Sequence, residues 1–330
     1  MTGFKPFALT ASVLALTAGL AQADSPALMF DMGGKFDKSF NEAAYNGAER
    51  WRESTGGSYR EIEISAEAQR VQFARRLAEA GSNPIVVMGF ANESTLVEVA
   101  PDYPDTTFVL IDAVVDLPNV RSVIFAEQEG SYLVGMLAAM ATETGTVSFV
   151  GGMEIPLITA FACGYAQGVK AVNPDIDVIV NYTGSTPAAW NDPVRGGEIA
   201  NAQFSQGSDI VFAAAGGTGL GVLQAAEDAG LKSIGVDSNQ NHLHPGSVLT
   251  SMLKLVDQAV YDAFTEGPDM ETGVVVMDLA AGGVGYAVDE FNEHLITAEM
   301  MEAVEEARAA IIAGELTVHD YRTDSTCPAF

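Results

Sequence analysis

Short apolar runs alternate with segments of helical periodicity along almost the whole chain, and this alternation restricts the fold more than any other feature. The first run, Ala27–Phe30, precedes a helical pattern that starts near Ser39, and about nine further repeats follow. Such alternation is typical of βαβ units, in which parallel strands form one sheet and helices cover both faces. About ten strands in 330 residues predict two such sheets, the second starting near Thr146.

The ends of the chain carry two further signals. Residues 1–23 resemble a secretory signal peptide: Lys5 is followed by the apolar stretch Phe7–Ala21, and Ala21-Gln22-Ala23 has the pattern of a cleavage site. We expect a mature, periplasmic chain that starts at Asp24 and is soluble, since no cysteine is present there to carry a lipid anchor. At the other end, short strands are predicted at Thr272–Leu279 and Val284–Val288.

Charge and cysteine content limit the classes of function. The formal net charge of -28 repels phosphate backbones and anionic lipids, which argues against a nucleic-acid-binding protein. The two cysteines, Cys163 and Cys327, both lie in the exported part, where oxidation is permitted. We favour a disulfide between them, with two free thiols as the alternative.

Three apolar runs end in an aspartate, namely Asp31, Asp112 and Asp237. The carboxyl ends of parallel strands share one edge of a sheet, where ligands bind in open α/β folds. Carboxylates there can accept hydrogen bonds from a neutral polar ligand, each contributing about 1.5–3 kcal/mol. Taken singly, an aspartate after a strand is also a common helix N-cap.

Two aromatic residues lie near these strand ends. Phe40 follows Ser39 at a helix start, where Ser39 and Glu42 have the spacing of a capping box. Phe212 precedes the glycine-rich turn Gly216–Gly219, although its place in an apolar run also suits a core residue. Two rings closing on a planar base from opposite lobes would add about 0.5–1.5 kcal/mol each beyond area burial. A base with a hydroxylated sugar therefore fits the predicted set.

Several motifs occur in a characteristic order along the chain. They are Asp31-x-Gly33-x3-Asp37-Lys38-Ser39-Phe40-Asn41, Val109-Leu110-Ile111-Asp112, Glu129-Gly130-Ser131-Tyr132, Phe149-Val150-Gly151-Gly152, Asn191-Asp192-Pro193, Gly216-Gly217-Thr218-Gly219, Gly235-Val236-Asp237 and Ser251-Met252-x-Lys254. In this order they resemble the basic membrane protein family, the purine-nucleoside-receptor-like substrate-binding proteins of ABC transporters.

The resemblance implies a type I periplasmic-binding-protein fold, with two α/β lobes of doubly wound parallel sheet joined by a three-crossing hinge. We assign residues 24–125 and about 251–270 to the first lobe, and residues 126–250 and about 271–330 to the second. The ligand would be a nucleoside, with a purine as the best match, held between the lobes and delivered to an inner-membrane permease. The protein would act as a monomer, without enzymatic activity or a cofactor.

The resemblance also implies individual roles, which we carry over where the motifs match. Phe40 and Phe212 would stack on the base, and Asp31 and Asp112 would form hydrogen bonds on the base side, with Asn41 nearby. Asp237 and Lys254 would contact the sugar. Gly217 would offer its backbone to the ligand.

Two alternative functions remain open. A nucleoside hydrolase would need carboxylates clustered on a calcium ion, whereas the aspartates here follow separate strands. A sensor or receptor for a sugar or another small polar ligand would use the same lobe closure. His242 and His244 lack partners at metal-ligand spacing, so we expect no metal site.

Overall fold

The computed structural model describes Thr2 and residues 25–330 and contains two six-stranded sheets, each flanked by helices. The predicted signal peptide lies outside the described residues, apart from Thr2. Among the described helices, none is both long and apolar enough to cross a membrane. The predicted two-lobed α/β architecture is confirmed, and every predicted strand corresponds to a strand of the structure.

The twelve strands are β1 (Ser25–Phe30), β2 (Arg60–Glu63), β3 (Ser82–Val87), β4 (Phe108–Ile111), β5 (Val120–Phe125), β6 (Thr146–Met153), β7 (Asp177–Gly184), β8 (Ile210–Ala214), β9 (Lys232–Asp237), β10 (Val248–Lys254), β11 (Gly273–Met277) and β12 (Val284–Tyr286). The α-helices are α1 (Phe40–Thr55), α2 (Arg70–Glu79), α3 (Glu93–Val99), α4 (Glu127–Ala141), α5 (Pro156–Val172), α6 (Pro193–Phe204), α7 (Gly219–Asp228), α8 (Val256–Glu266) and α9 (Ala298–Ile312).

The first lobe is built on a sheet with strand order β11-β5-β4-β3-β1-β2, in which all strands run parallel. Its central strands are continuous apolar runs, and β4 is buried along its whole length. Burial on both faces explains why these strands lack polar alternation, because helices cover each side of a parallel sheet.

The second lobe has the strand order β12-β10-β9-β8-β6-β7. Five of its strands are parallel, and β12 pairs antiparallel with β10 at the edge. The carboxyl ends of β8 and β9 therefore point to one edge of this sheet, as those of β1, β3 and β4 do in the first.

The chain crosses between the lobes three times, but two crossings lie later than the predicted boundaries. The expected first-lobe segment began near residue 251, whereas β10 keeps pairing with β9 up to Leu253, opposite Asp237. The same segment was expected to end near residue 270, whereas β11 pairs with β5 in the first sheet, from Gly273 opposite Arg121. Strand pairing thus assigns β11 to the first lobe and β12 to the second.

A disulfide joins Cys163 in α5 to Cys327 in the C-terminal tail, with a Cα–Cα distance of 5.7 Å. The tail is therefore tied to a helix of the second lobe. Of the two alternatives left open by the sequence, the structure contains the bridge.

Candidate ligand-binding site

A cavity of about 600 Å³, its mouth included, lies between the two lobes. The first lobe contributes Asp31, Met32, Asp37, Phe40, Asn41, Gly89, Phe90 and Asp112. The second contributes Leu157, Ile158, Phe161, Trp190, Ala214, Gly216, Val236, Asp237 and Lys254.

One end of the cavity is formed by Asp31, directly after β1. Its Oδ1 lies 2.7 Å from the Arg70 guanidinium and accepts the Met32 amide at 2.8 Å. Burial raises the pKa of the Asp31 carboxyl, and the Arg70 charge opposes that shift. Gly89 faces this carboxylate with a φ of 91°, and a Cβ there would lie 2.2 Å from Asp31 Oδ2. A glycine is therefore required for the close approach of β3 to Asp31.

Asn41 lines the cavity, but its side chain holds the loop after β1. Its Oδ1 accepts the Asp31 amide at 3.1 Å, and its Nδ2 donates to the carbonyls of Asp31 and Gly34, each at 3.2 Å. These bonds use the polar atoms that a ligand contact would need. The geometry thus makes Asn41 a brace for Asp31.

The start of α1 is capped by Asp37, and not by the predicted pair of Ser39 and Glu42. The Asp37 carboxylate accepts the amides of Ser39, Asn41 and Glu42 at 2.9–3.1 Å. Glu42 is engaged instead by Lys38, whose Nζ lies 2.8 Å from its Oε1. Burial raises the pKa of Asp37 to about 7 although these amides favour the charged form. Asp37 is thus the cap of α1, and Lys38 belongs to a surface ion pair.

The other end of the cavity holds a buried charge cluster centred on Lys254. The Lys254 Nζ lies 2.7 Å from Asp112 Oδ2 and 3.1 Å from Glu127 Oε1. It also lies 5.2 Å from the Phe40 ring centroid, within cation–π range. Burial raises the pKa values of Asp112 and Glu127, and the surrounding carboxylates raise that of Lys254 despite its burial.

Asp112 was expected on the base side with Asp31, but the structure places it against Lys254. Its Oδ1 is buried and no donor among the described residues reaches it. A buried acceptor without a donor is costly, so this oxygen is the atom best prepared to accept a ligand hydrogen bond.

Asp237 joins the two lobes. Its Oδ2 accepts the Ser39 hydroxyl at 2.5 Å, and burial raises the pKa of this carboxyl. Ser238 donates to the Ser39 carbonyl at 3.1 Å, and Gln240 donates to the Lys38 carbonyl at 2.9 Å. The structure is therefore a closed form, with the loop after β9 hydrogen-bonded to the start of α1.

Asp112 and Asp237 have left-handed backbones, with φ values of 74° and 61°. This conformation is uncommon outside glycine and tends to occur at functional sites, where the rest of the fold maintains it. It turns both carboxylates off the strand direction immediately after β4 and within the end of β9.

Aromatic rings line the cavity from both lobes. Phe40 and Phe90 come from the first lobe, and Phe161 and Trp190 from the second. The rings of Phe90 and Trp190 lie 6.5 Å apart at 64°. A Cβ on Gly152 would lie 2.1 Å from Trp190 Cζ3, so the glycine leaves room for the indole against β6.

Two predicted residues lie elsewhere. Phe212 does not line the cavity: it is 0% exposed in the middle of β8 and packs against Phe149 and Tyr165, with ring centroids 5.4 Å away in each case. Its ring therefore belongs to the core of the second lobe and does not extend past the carboxyl end of β8. Gly217 is buried, and the neighbouring Gly216 lines the cavity instead.

Reasoning from the sequence missed several residues of the site. Trp190 is the exception: it lies two residues before the N-cap Asp192 of α6, its place beside Asn191-Asp192-Pro193 suits either a cap on the cleft or simple packing, and it lines the cavity. Phe90 follows β3 as Asp31 follows β1, but an aromatic residue there has no distinguishing chemistry. Arg70 and Glu127 are identified only by their ion-pair partners, which come from distant segments.

Comparison with known proteins identifies the family. A family model for Bmp, described as "ABC transporter substrate-binding protein PnrA-like", matches residues 25–321. A relative named "ABC transporter nucleoside-binding protein BmpA", from Lactococcus lactis subsp. cremoris, is 31% identical over 328 residues, covering 92% of this chain and 91% of the relative. "Basic membrane protein A2" of Borrelia garinii subsp. bavariensis is 31% identical over 316 residues, covering 91% and 90%.

Solved structures agree with this. An ABC transporter solute-binding protein from Aeropyrum pernix K1 superposes with a TM-score of 0.83 at 29% identity, covering 91% of this chain and 94% of that one. Together these matches show that the chain belongs to the Bmp family of PnrA-like ABC transporter substrate-binding proteins.

Proposed function

We propose that this protein binds a nucleoside, with a purine as the best fit, between its lobes and delivers it to an ABC permease. The observation that supports this most is the lining of the cavity, which combines aromatic side chains from both lobes with buried carboxylates at Asp31 and around Lys254. A planar base with a hydroxylated sugar has chemistry that matches both kinds of side chain. A relative named as nucleoside-binding supports the same ligand class.

The base would lie between aromatic side chains of opposite lobes. Phe40 would form one wall, and Trp190, in place of Phe212, would form the other. The Asp31 carboxylate, held by Arg70 and by the Asn41 brace, would accept hydrogen bonds from ring N–H or amino groups at the base edge. Both walls are complete only when the lobes are closed.

The sugar would lie at the Lys254 end. Asp112 Oδ1, which lacks a donor among the described residues, and the Asp237 carboxylate would accept from the sugar hydroxyls. Lys254 has three donors. Two of them face Asp112 and Glu127, so one remains for a sugar oxygen.

Binding would act by favouring the closed state. A ligand that contacts both lobes has a higher affinity for the closed form than for the open one, and shifts the equilibrium by that difference. The hydrogen bonds of the Ser39 and Gln240 side chains across the lobes add to the same state. The cycle needs no cofactor and no chemical step.

The setting follows from the same proposal. Residues 1–23 would direct export, the mature protein would act as a monomer in the periplasm, and an inner-membrane permease would receive the ligand from the closed form.

Isothermal titration calorimetry against purine nucleosides, pyrimidine nucleosides, free bases and sugars tests the ligand class. We expect purine nucleosides to bind most tightly. Tight binding of a plain sugar with no nucleoside binding would refute the nucleoside assignment and support the sugar receptor. Mass spectrometry of ligand retained through purification gives an independent answer.

A separate assay tests the hydrolase alternative. Four aspartates line the cavity, Asp31, Asp37, Asp112 and Asp237, and among the described residues no group of three or more carboxylates, histidines or cysteines is placed to hold a metal ion. We therefore expect no free base after incubation with inosine and calcium. Release of hypoxanthine at a rate that scales with protein concentration would establish the enzyme instead.

A further inference from the structure

The C-terminal tail is fastened to α5 at two points. The disulfide Cys163–Cys327 is one of them. At the other, the Gln167 amide accepts the His319 backbone N–H and donates to the His319 carbonyl, both at 2.9 Å. Residues 319–327 are therefore held in one position, although they contain only a single short 3-10 turn, Tyr321–Thr323.

This segment places Arg322 at the first crossing between the lobes. Its Nη2 donates to the Phe125 carbonyl at 3.0 Å, where β5 ends, and its Nη1 lies 2.8 Å from Glu127 Oε2. Asp320 holds the guanidinium from the tail side, with both carboxylate oxygens within 3.0 Å of Nε. The side chain is 24% exposed, so most of its charge is withdrawn from water.

Glu127 connects Arg322 to the ligand cavity. Its side chain is 0% exposed, and while one oxygen faces Arg322, the other lies 3.1 Å from Lys254 Nζ. The Lys254 Nζ in turn lies 2.7 Å from Asp112 Oδ2, and the other carboxylate oxygen, Asp112 Oδ1, lacks a donor among the described residues. A continuous row of ion pairs thus runs from the tail to the acceptor at the sugar end.

The charges in this row explain what Arg322 contributes. Asp112, Glu127 and Asp237 are three carboxylates that surround Lys254. Without Arg322, the positive charge of Lys254 alone would have to balance Glu127 as well as Asp112 and Asp237. A buried carboxylate that loses one of two cations attracts the remaining one more strongly, which would draw the ammonium away from Asp112.

We propose that Arg322 is a positioning residue for ligand binding: it balances Glu127 from outside the cavity, so that Lys254 stays against Asp112, and the Cys163–Cys327 disulfide holds it there. This inference rests on the proposed function, because it concerns the same ligand site. It also makes affinity dependent on the oxidised state of a bridge whose sulfurs are outside the cavity lining.

Arg322→Gln tests the role directly. We expect the dissociation constant for the best nucleoside to rise about tenfold, a coupling typical of residues within one ion-pair network. Arg308→Gln is the matched control, since Arg308 is another arginine near the C-terminus that pairs with a surface glutamate, Glu305. An unchanged dissociation constant in Arg322→Gln overturns the proposal.

The second measurement separates positioning from a general loss of structure. In a Glu127→Gln background the carboxylate that Arg322 balances is absent, so adding Arg322→Gln should change the dissociation constant less than twofold. An equal tenfold loss in both backgrounds would show that Arg322 acts only by folding the tail, and would overturn the proposal.

The third measurement concerns the bridge. Cys163→Ser/Cys327→Ser should weaken binding as Arg322→Gln does, and combining the two changes should add little, because both release the same side chain. Additive losses would overturn the role assigned to the disulfide.

If the wild-type protein binds no compound of the panel, the proposed function fails instead. The coupling of Arg322 with Glu127 in the free energy of unfolding then still tests the ion-pair row without a ligand.

Discussion

The hydroxyl of Ser39 in the first lobe donates a hydrogen bond to the carboxylate of Asp237 in the second. Both residues belong to the loops that form the cavity, so one bond connects lobe closure with ligand contact. The sequence assigned Ser39 to capping α1, a role that the structure gives to Asp37. Ser39 is thereby free to bind across the cleft.

Ser39→Ala should weaken closure without disturbing α1. A hydrogen bond to a carboxylate contributes about 1.5–3 kcal/mol, so we expect ligand dissociation to become about tenfold faster or more. Stopped-flow release of a fluorescent nucleoside measures this rate. Ser205→Ala, which removes an exposed hydroxyl bonded only within its own helix end, is the control. An unchanged dissociation rate in Ser39→Ala would show that the contact does not hold the lobes together.

Asp237→Ala should lose most nucleoside affinity. Removal of the carboxylate leaves a bound sugar hydroxyl and the Ser39 hydroxyl without an acceptor, which we expect to raise the dissociation constant about 10- to 100-fold. Calorimetry with a nucleoside and with its free base gives the comparison. The free base should lose much less, and equal losses for both would contradict a sugar contact at Asp237.

Alanine substitutions of Trp190 and Phe212 should distinguish an effect on ligand affinity from an effect on the free energy of unfolding. Trp190→Ala removes a cavity wall, so it should weaken the binding of bases and nucleosides, and because the indole is only partly buried it should lower the free energy of unfolding by less than Phe212→Ala does. Phe212→Ala opens a hole in the core of the second lobe and should lower the free energy of unfolding by about 3–5 kcal/mol. Calorimetry and urea titration distinguish the two. A larger affinity loss at Phe212 than at Trp190 in folded protein would restore the stacking role that the sequence suggested.

The strands and the strand-end aspartates of this molecule were predictable from its sequence. The strands were recognisable because β1, β4 and β8 are short apolar runs buried on both faces, which few other structures produce. Asp31 and Asp237 were found for a related reason: a carboxylate at the end of such a run must lie at the sheet edge. Topology alone places these side chains at the cavity.

The residues that were misassigned or missed depend on contacts between distant segments. Phe212 lies only a few residues before the turn that lines the cavity, yet its ring points into the core, because side-chain direction in a strand depends on position along it. Arg322 and Glu127 come from different parts of the chain, and no local pattern links them. Fold and strand ends were therefore predictable, whereas the aromatic wall and the ion-pair row required the three-dimensional structure.

The pH dependence of stability should report the burial of Asp37. Its pKa is raised from 3.8 to about 7 in the folded protein, mainly by desolvation, so between these values the folded state binds more protons than the unfolded one. The stabilisation from its protonated form is complete below about pH 4 and is lost as the pH rises through about 7, at up to about 1.4 kcal/mol per pH unit.

Asp37→Asn cannot titrate and isolates this effect. The free energy of unfolding of the wild type minus that of the variant should therefore fall as the pH is raised from about 4 to about 7. Urea titrations across this interval measure the difference. A difference that rises with pH would mean that the three amides at the start of α1, and not burial, control the ionisation of Asp37, and that the carboxylate caps the helix in its charged form.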